Sequence, residues 1–219
     1  MVYTSPKSGP AAEDIASRIS ALNNGSQAIV VQADLSTVEA PDKIVSATTE
    51  AFGEHIDILV NNAAVLLPGS ILDATANDYA ATFDVNVRGP LLMTKAVVPH
   101  LRAPGRIINI SSIAARTGFD GLAVYSASKG ALESLTRGLA AELGAAGHTV
   151  NAVSSGPVKT DMLADVPDKL VQIQLQRTPV EHRHGTVDDI AQVVGWLSDE
   201  SSRWISGQTI AAGGGYQML

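Results

Sequence analysis

Short segments rich in β-branched residues alternate with helical segments along the 219 residues of the chain, and this alternation limits the possible folds most strongly. Strands that are connected through helices form parallel sheets whose two faces the helices cover. Strands are predicted at residues 27–33, 56–60, 106–110, 149–154 and 209–212. We therefore expect a single α/β domain over residues 1–219, in which helices flank a parallel sheet.

The helical segments between the strands are predicted at residues 11–22, 40–52, 77–101, 125–143 and 187–197. Gly89 and Pro90 lie inside the third segment and predict a kink or a break there. Thr186 precedes the last segment and is a favoured N-cap residue. Residues 162–180 are the least regular stretch and suit a mobile flap.

The composition excludes several classes of protein. The chain has no cysteine, which excludes disulfides, thiolate metal sites and cysteine nucleophiles. Its net charge is −7 and its basic residues are scattered, so we expect no nucleic-acid partner. No apolar run approaches the ~18 residues that span a bilayer, and no signal peptide is recognisable, so we expect a cytoplasmic protein without membrane contact. His182 and His184 have no third ligand at a suitable spacing, and we expect no metal site.

Three residues have a spacing that suits proton transfer. Tyr125 and Lys129 are four residues apart in a predicted helix and therefore lie on one face of it. An ammonium beside a phenol lowers the pKa of the phenol from about 10 and prepares it for acid–base chemistry. Ser112 lies thirteen positions upstream of Tyr125.

The chain resembles the short-chain dehydrogenase/reductase family in motifs that agree in order and spacing. These motifs are Asp34-Leu35-Ser36, Asn61-Asn62-Ala63-Ala64, Asp84-Val85-Asn86-Val87, Asn109-Ile110-Ser111-Ser112, Tyr125-Ser126-Ala127-Ser128-Lys129 and Ser155-Gly156-Pro157-Val158-Lys159-Thr160. The resemblance extends from about Met1 to the C-terminus. It implies a Rossmann-like parallel sheet flanked by helices.

The resemblance also implies a role for each motif. The implied catalytic tetrad is Asn86, Ser112, Tyr125 and Lys129. In the family the serine and tyrosine hydrogen-bond a carbonyl, the lysine binds ribose and lowers the pKa of the tyrosine, and the asparagine holds a water in a proton relay. Implied cofactor contacts are Asp34, Asn61, Ala63 and Thr160, and Gly156 is an implied substrate contact. Met162, Leu163 and Val166 are candidate flap residues over an apolar substrate, the alternative being ordinary packing.

Some of these residues also have a structural interpretation. Asp34 can instead be a turn residue at the end of a strand, Asn61 a structural hydrogen-bonding residue, and Thr160 the cap of the helix that follows.

The N-terminus departs from the family pattern. Met1 aligns with a position inside the family's second strand. The chain therefore has no counterpart of the family's first strand, its Thr-Gly-x-x-x-Gly-x-Gly turn and its first helix. The chain is therefore interpreted as an N-terminally truncated member, the alternative being a gene start further upstream or an isoform. The turn normally supplies the amides that hold pyrophosphate.

The absent strand is central in the family's order, 3-2-1-4-5-6-7, so its loss leaves an open edge on the fourth strand. We expect strands 2 and 3 to move over by one place and give the order 3-2-4-5-6-7, which keeps the crossovers right-handed. The alternatives are that strand 3 takes the place directly or that a second subunit covers the edge.

These expectations lead to three functional hypotheses. The first is an enzyme that polarises a carbonyl or enol of a small, polyketide-like substrate without redox change, as an isomerase, lyase, dehydratase or cyclase. Such an enzyme needs no cofactor. If it binds one, we expect NADP(H), which Thr4, Ser5 and Lys7 favour over NAD(H). The second is an NADPH-dependent ketoreductase with a rearranged or trans-completed cofactor site. The third is an inactive interaction protein. Helices 77–101 and 125–143 resemble the family's dimer helices, so a homodimer or homotetramer is expected.

Overall fold

A computed structural model of the protein describes residues 2–3, 8–163 and 168–218. Thr4, Ser5 and Lys7, which bear on the choice between NAD and NADP, lie outside the described residues, as does Val166 of the predicted flap.

The described strands are β1 (Val2–Tyr3), β2 (Val31–Gln32), β3 (Ile56–Asn61), β4 (Leu101–Ser112), β5 (Thr149–Ser155) and β6 (Thr209–Ala212). The last four form one parallel sheet in the order β3-β4-β5-β6. The two central strands suit burial on both faces, because Ile107 and Ile108 of β4 and Val150, Ala152 and Val153 of β5 are apolar and buried. The predicted α/β class with a parallel sheet is confirmed.

The predicted strand order 3-2-4-5-6-7 is wrong within the described residues. β1 and β2 pair with each other in a separate two-stranded parallel sheet, and β3 pairs with β4 alone. Neither strand 2 nor strand 3 of the family numbering has therefore moved next to β3. Ile58 and Val60 of β3 remain 43% and 41% exposed, as expected for side chains at an open edge. β2 is also shorter than the predicted 27–33, because only two of its residues have partners in β1.

Seven α-helices are described: α1 (Gly9–Ser20), α2 (Ala40–Phe52), α3 (Ala76–Phe83), α4 (Gly89–Val97), α5 (Ala123–Leu143), α6 (Asp168–Arg177) and α7 (Val187–Ser198). The predicted helix 77–101 is broken, but just before Gly89: a π-helical turn over Asp84–Arg88 separates α3 from α4. Pro90 lies in the first turn of α4 and has no N–H to donate to the π-helical turn that precedes it. Thr186 caps α7 as predicted, through a capping box with Asp189. The expected irregular flap contains the regular helix α6.

The sheet has an apolar core on each face. Successive strand residues point to opposite faces, and Ile107 and Ile108 of β4 accordingly belong to different clusters. Ile107 packs with residues of α2, α4 and α5, and Ile108 packs with Leu197 of α7. Among the helices that the structure describes, none combines the length and the apolar character needed to cross a membrane.

Candidate active site

The predicted proton-transfer residues meet at the carboxyl edge of the main sheet. Ser112 ends β4, and α5 begins eleven residues later and carries Tyr125 and Lys129 on one face. All three line a cavity of about 920 Å³, with Ile110 and Ser111 beside them. Ligands of open α/β sheets bind outside the carboxyl ends of the strands, and this cavity has that position.

Burial determines the charge of the pair formed by Tyr125 and Lys129. Burial raises the pKa of the Tyr125 phenol, and a hydrogen bond with Ser112 lowers it by less. Burial lowers the pKa of Lys129 from 10.5 to about 8. The expectation that Lys129 depresses the pKa of Tyr125 is therefore wrong for the protein without ligand, because loss of hydration disfavours the charged form of both groups.

Lys129 is directed into the site by the end of β4. Its Nζ donates to the carbonyl oxygen of Ile110 at 2.8 Å and lies 5.8 Å from the centre of the Tyr125 ring. An ammonium has three N–H donors, so this bond leaves others for ligand hydroxyls.

Asn86 lies beneath the cavity and does not line it. Its Oδ1 accepts from the amide of Val65 at 2.9 Å, and its Nδ2 donates to the carbonyl of Val65 at 2.9 Å and to Ser128 Oγ at 3.0 Å. Ser128 Oγ in turn donates to the carbonyl of Tyr125 at 2.7 Å. The side chain of Asn86 thus connects the segment after β3 to the helix that carries Tyr125. The predicted role in holding a water stays a prediction.

The predicted cofactor contacts divide into two groups. Asp34, Ala63 and Thr160 line the cavity, whereas Asn61 does not and instead donates from Nδ2 to Asn109 Oδ1 at 2.8 Å. Asp34 also accepts a 2.9 Å hydrogen bond from the amide of Ser36, as a turn residue would. The cavity is therefore in contact with three of the four residues.

All three predicted substrate residues, Gly156, Met162 and Leu163, line the cavity. A Cβ on Gly156 would lie 2.9 Å from Gly213 Cα, so a glycine is required here by close backbone approach.

Sequence reasoning missed an aromatic pair in the same cavity. The ring centroids of Phe119 and Tyr216 are 6.1 Å apart and both residues line the cavity. The position of Phe119 between Ser112 and Tyr125 was a usable signal, because a short loop between two site residues must lie near them. Tyr216 had no local signal.

The described lining fits two parts of a nicotinamide dinucleotide. At one end Ser8, the N-cap of α1, lines the cavity together with Asp34, and no side chain caps that helix. Uncapped N–H groups at a helix N-terminus suit a phosphate. At the other end the free donors of Lys129 suit ribose hydroxyls, next to Tyr125 and Thr160. No glycine-rich turn contributes to the lining within residues 8–163 and 168–218.

Fold and site together define an α/β enzyme in which a serine, a tyrosine and a lysine line one cavity at the carboxyl edge of the sheet. The chain belongs to the short-chain dehydrogenase/reductase family. A family model described as enoyl-(acyl carrier protein) reductase matches residues 8–217.

Individual relatives agree with this membership. Dehydrogenase OXI1 of Cochliobolus heterostrophus is 41% identical over 224 residues, which cover 100% of this chain and 97% of OXI1. Versicolorin reductase stcU of Emericella nidulans is 35% identical, covering 98% of this chain and 85% of stcU. A blue fluorescent protein from a metagenomic library, crystallised with NADPH, superposes with a TM-score of 0.92 at 34% identity over 99% of this chain and 86% of that chain.

Two expectations are corrected by these comparisons. Relatives align with nearly the whole chain, so its description as N-terminally truncated is not supported. Chemistry without a cofactor is not supported either, because solved structures that are 34% and 37% identical to this chain are complexes with NADPH and NADP.

Proposed function

We propose that the protein is an NADPH-dependent ketoreductase that acts on a small-molecule carbonyl. The observation that carries the proposal is the convergence of Ser112, Tyr125 and Lys129 on one face of a groove of about 920 Å³. Relatives named as reductases and neighbours solved with NADPH support it.

The cofactor would be held by residues at both ends of the groove. Lys129 would bind the ribose nearest the reacting ring, with Thr160 and Gly156 next to it. Asp34 and the N-terminus of α1 at Ser8 would bind the adenosine end of the cofactor. A helix N-terminus attracts anions, so the additional phosphate of NADP(H) makes this cofactor fit better than NAD(H). When bound, NADPH supplies the hydride that is transferred to the carbonyl carbon of the substrate.

Tyr125 acts as the general acid. Its raised pKa keeps the phenol protonated at neutral pH, so a proton is available for the carbonyl oxygen when negative charge develops there. Ser112 donates a second hydrogen bond to the same oxygen, which stabilises that charge. Once Tyr125 has given up its proton, the Lys129 ammonium 5.8 Å from its ring stabilises the tyrosinate.

Two of these donors would also stabilise an enolate, which was the basis of the redox-free hypothesis. No observation on the described residues favours enolate over hydride chemistry, and the reductase relatives favour the latter.

The proposal is tested by following NADPH oxidation with a panel of aromatic and aliphatic ketones. Tyr125→Phe should lower kcat by about 10²–10⁴-fold, and Ser112→Ala by about 10²-fold, because each removes a donor used in the transition state. Tyr79→Phe is the matched control, since Tyr79 is exposed and stacks on Phe83 away from the cavity lining. Failure of calorimetry to detect NADPH binding at millimolar concentration would overturn the proposal.

The oligomeric state belongs to the same proposal. We expect a dimer or tetramer that packs through α3, α4 and α5, whose outer surfaces expose Tyr79 and Leu91. Light scattering at micromolar concentration should give at least twice the chain mass of 22.7 kDa, and a monomer would contradict this expectation.

A further inference from the structure

A buried carboxylate lies on the same helical stripe as the two catalytic residues of α5. Tyr125, Lys129 and Glu133 follow one another at intervals of four residues, so their side chains point the same way. The side chain of Glu133 is only 4% exposed. A charge this deeply buried persists only when it is paired and hydrogen-bonded.

Both partners of Glu133 belong to the segment that presents Ser112. Glu133 Oε1 accepts from Ser111 Oγ at 3.1 Å, and Oε2 accepts from Arg116 Nε at 2.7 Å. Ser111 immediately precedes Ser112, and Arg116 follows the 3-10 turn Ile113–Ala115. Glu133 therefore holds the chain on both sides of the catalytic serine.

The turn between these two attachment points is coupled to the side chain of Ser112. Ser112 Oγ accepts from the amide of Ala114 at 3.1 Å, so the hydroxyl moves with the turn. On the strand side, Lys129 Nζ holds the carbonyl of Ile110. The segment from Ile110 to Arg116 is thus joined to α5 at three places, and Glu133 makes two of them.

We propose that Glu133 and Arg116 are positioning residues that set the place of Ser112 Oγ relative to the Tyr125 hydroxyl. Neither residue is needed to touch substrate, and they act through the backbone of the turn. A buried ion pair is weak evidence for stability, because an apolar pair of similar volume often packs as well. An apolar pair would fix the positions of the two hydroxyls less well, because apolar contacts are not directional. Both hydroxyls must donate to one oxygen, so their geometry matters.

The first test does not depend on catalysis. The protein contains four tyrosines, and labelling with [13Cζ]tyrosine gives a resonance for Tyr125 that is absent in Tyr125→Phe. The Cζ shift responds to hydrogen bonding of the phenol, so Ser112→Ala should displace it. Glu133→Gln and Arg116→Met should displace it in the same direction by at least about half as much. Glu133→Gln removes the buried charge and keeps the shape of the side chain, so this variant stays readable even where Arg116→Met, which leaves that charge unpaired, does not fold.

The control for this test is an exposed ion pair elsewhere. Asp57 and Arg102 form one at 3.4 Å with both side chains 59% exposed, and Asp57→Asn should leave the Tyr125 resonance in place. A resonance at its wild-type position in folded Glu133→Gln or folded Arg116→Met would overturn the proposal. So would a Ser112→Ala variant that does not move the resonance, because Ser112 and Tyr125 would then not be coupled.

The second test rests on the proposed ketoreductase activity. Glu133→Gln should lower kcat about 10- to 100-fold with less than a threefold change in the KM for NADPH, because misplacement of a catalytic group affects the transition state. In the Ser112→Ala background the same substitution should change kcat by less than about twofold. Equal losses in both backgrounds would indicate a general structural role and overturn the proposal. If the wild-type protein reduces no ketone, the proposed function fails, and the resonance of Tyr125 still decides the role of Glu133.

Discussion

Lys129 and Tyr125 lie one helical turn apart, with the ammonium 5.8 Å from the ring centre, and burial moves their pKa values in opposite directions. The phenol is held protonated and the amine is brought to a pKa of about 8. In the protein without ligand the pair therefore consists of a neutral acid and an amine that titrates near physiological pH. The amine gains a counter-charge only when the tyrosine has given up its proton.

The titration of Lys129 predicts a pH dependence for ketone reduction. Below its pKa of about 8 the ammonium is present and stabilises the tyrosinate, and above that pKa it is lost. We expect kcat/KM, which reports groups of the free enzyme, to be constant between pH 6 and 7 and to fall towards about tenfold per pH unit above 8. The measurement is kcat/KM from NADPH oxidation between pH 6 and 10. Lys129→Met should be slow at every pH from 6 to 10 and should not lose further activity above pH 8. If it shows the same fall above pH 8, another group is responsible for the titration.

The same buried amine predicts that Lys129→Met is more stable than the wild type at neutral pH. The folded-state pKa of about 8 lies below the usual 10.5, so below pH 8 the protein carries a buried charge whose desolvation costs ~3 kcal/mol. Lys129→Met removes this cost and also loses the hydrogen bond to Ile110. The net effect should raise the free energy of unfolding by about 1–2 kcal/mol. Stability of the wild type should rise with pH between 8 and 10.5, and the advantage of the variant should disappear above 10.5. Urea titrations at pH 7 and 10.5 check this, and a variant less stable at pH 7 contradicts it.

Asn86 is predicted to act mainly through its buried hydrogen bonds. Asn86→Ala leaves the amide and carbonyl of Val65 and the hydroxyl of Ser128 without that partner, which should lower the free energy of unfolding by about 2–4 kcal/mol. The exposed Asn77 of α3 is the control, and Asn77→Ala should change stability by less than about 0.5 kcal/mol. Thermal unfolding compares the two, and similar midpoints would refute the role assigned to Asn86.

Two glycine substitutions should have opposite effects on stability. Gly156→Ala places a Cβ 2.9 Å from Gly213 Cα, and the required backbone shift should lower the free energy of unfolding by about 1–3 kcal/mol. Gly138 lies inside α5, where an added Cβ meets nothing within 4 Å. Gly138→Ala should therefore raise the free energy of unfolding by up to about 1 kcal/mol, from helix propensity. Denaturant titrations measure both, and a stabilised Gly156→Ala would show that the two backbones are less closely opposed.

The open edge of β3 predicts a tendency to aggregate. The paired substitutions Ile58→Thr and Val60→Thr keep β-branched side chains and remove exposed apolar surface next to unpaired backbone groups. The variant should aggregate several-fold more slowly at 37 °C, as followed by light scattering. Val38→Thr is the control, because Val38 is exposed but lies outside the described strands. An equal effect of Val38→Thr would attribute aggregation to general surface hydrophobicity.

Much of the site could be predicted because its residues are close in sequence or follow strand ends. Tyr125 and Lys129 are joined by helical periodicity, and Ser112 by its place after an apolar strand. The cavity-lining Asp34, Ala63 and Thr160 follow strands in the same way. Asn61 has the structural alternative of its two interpretations, and its partner Asn109 could not be named from the sequence because a cross-strand bond depends on sheet register. Tyr216 and Phe119 approach each other from segments almost a hundred residues apart, which no local pattern reports.

By itself the sequence determined the α/β class, the extent of most helices and strands, and the placement of Tyr125 and Lys129 on one helix face, since periodicity and capping are local properties of the chain. Only the tertiary structure decided the separate pairing of β1 with β2, the exposed edge of β3 and the direction in which the pKa of Tyr125 moves. Strand pairing depends on partners distant in the chain, and a pKa depends on how much water the completed fold removes from the group.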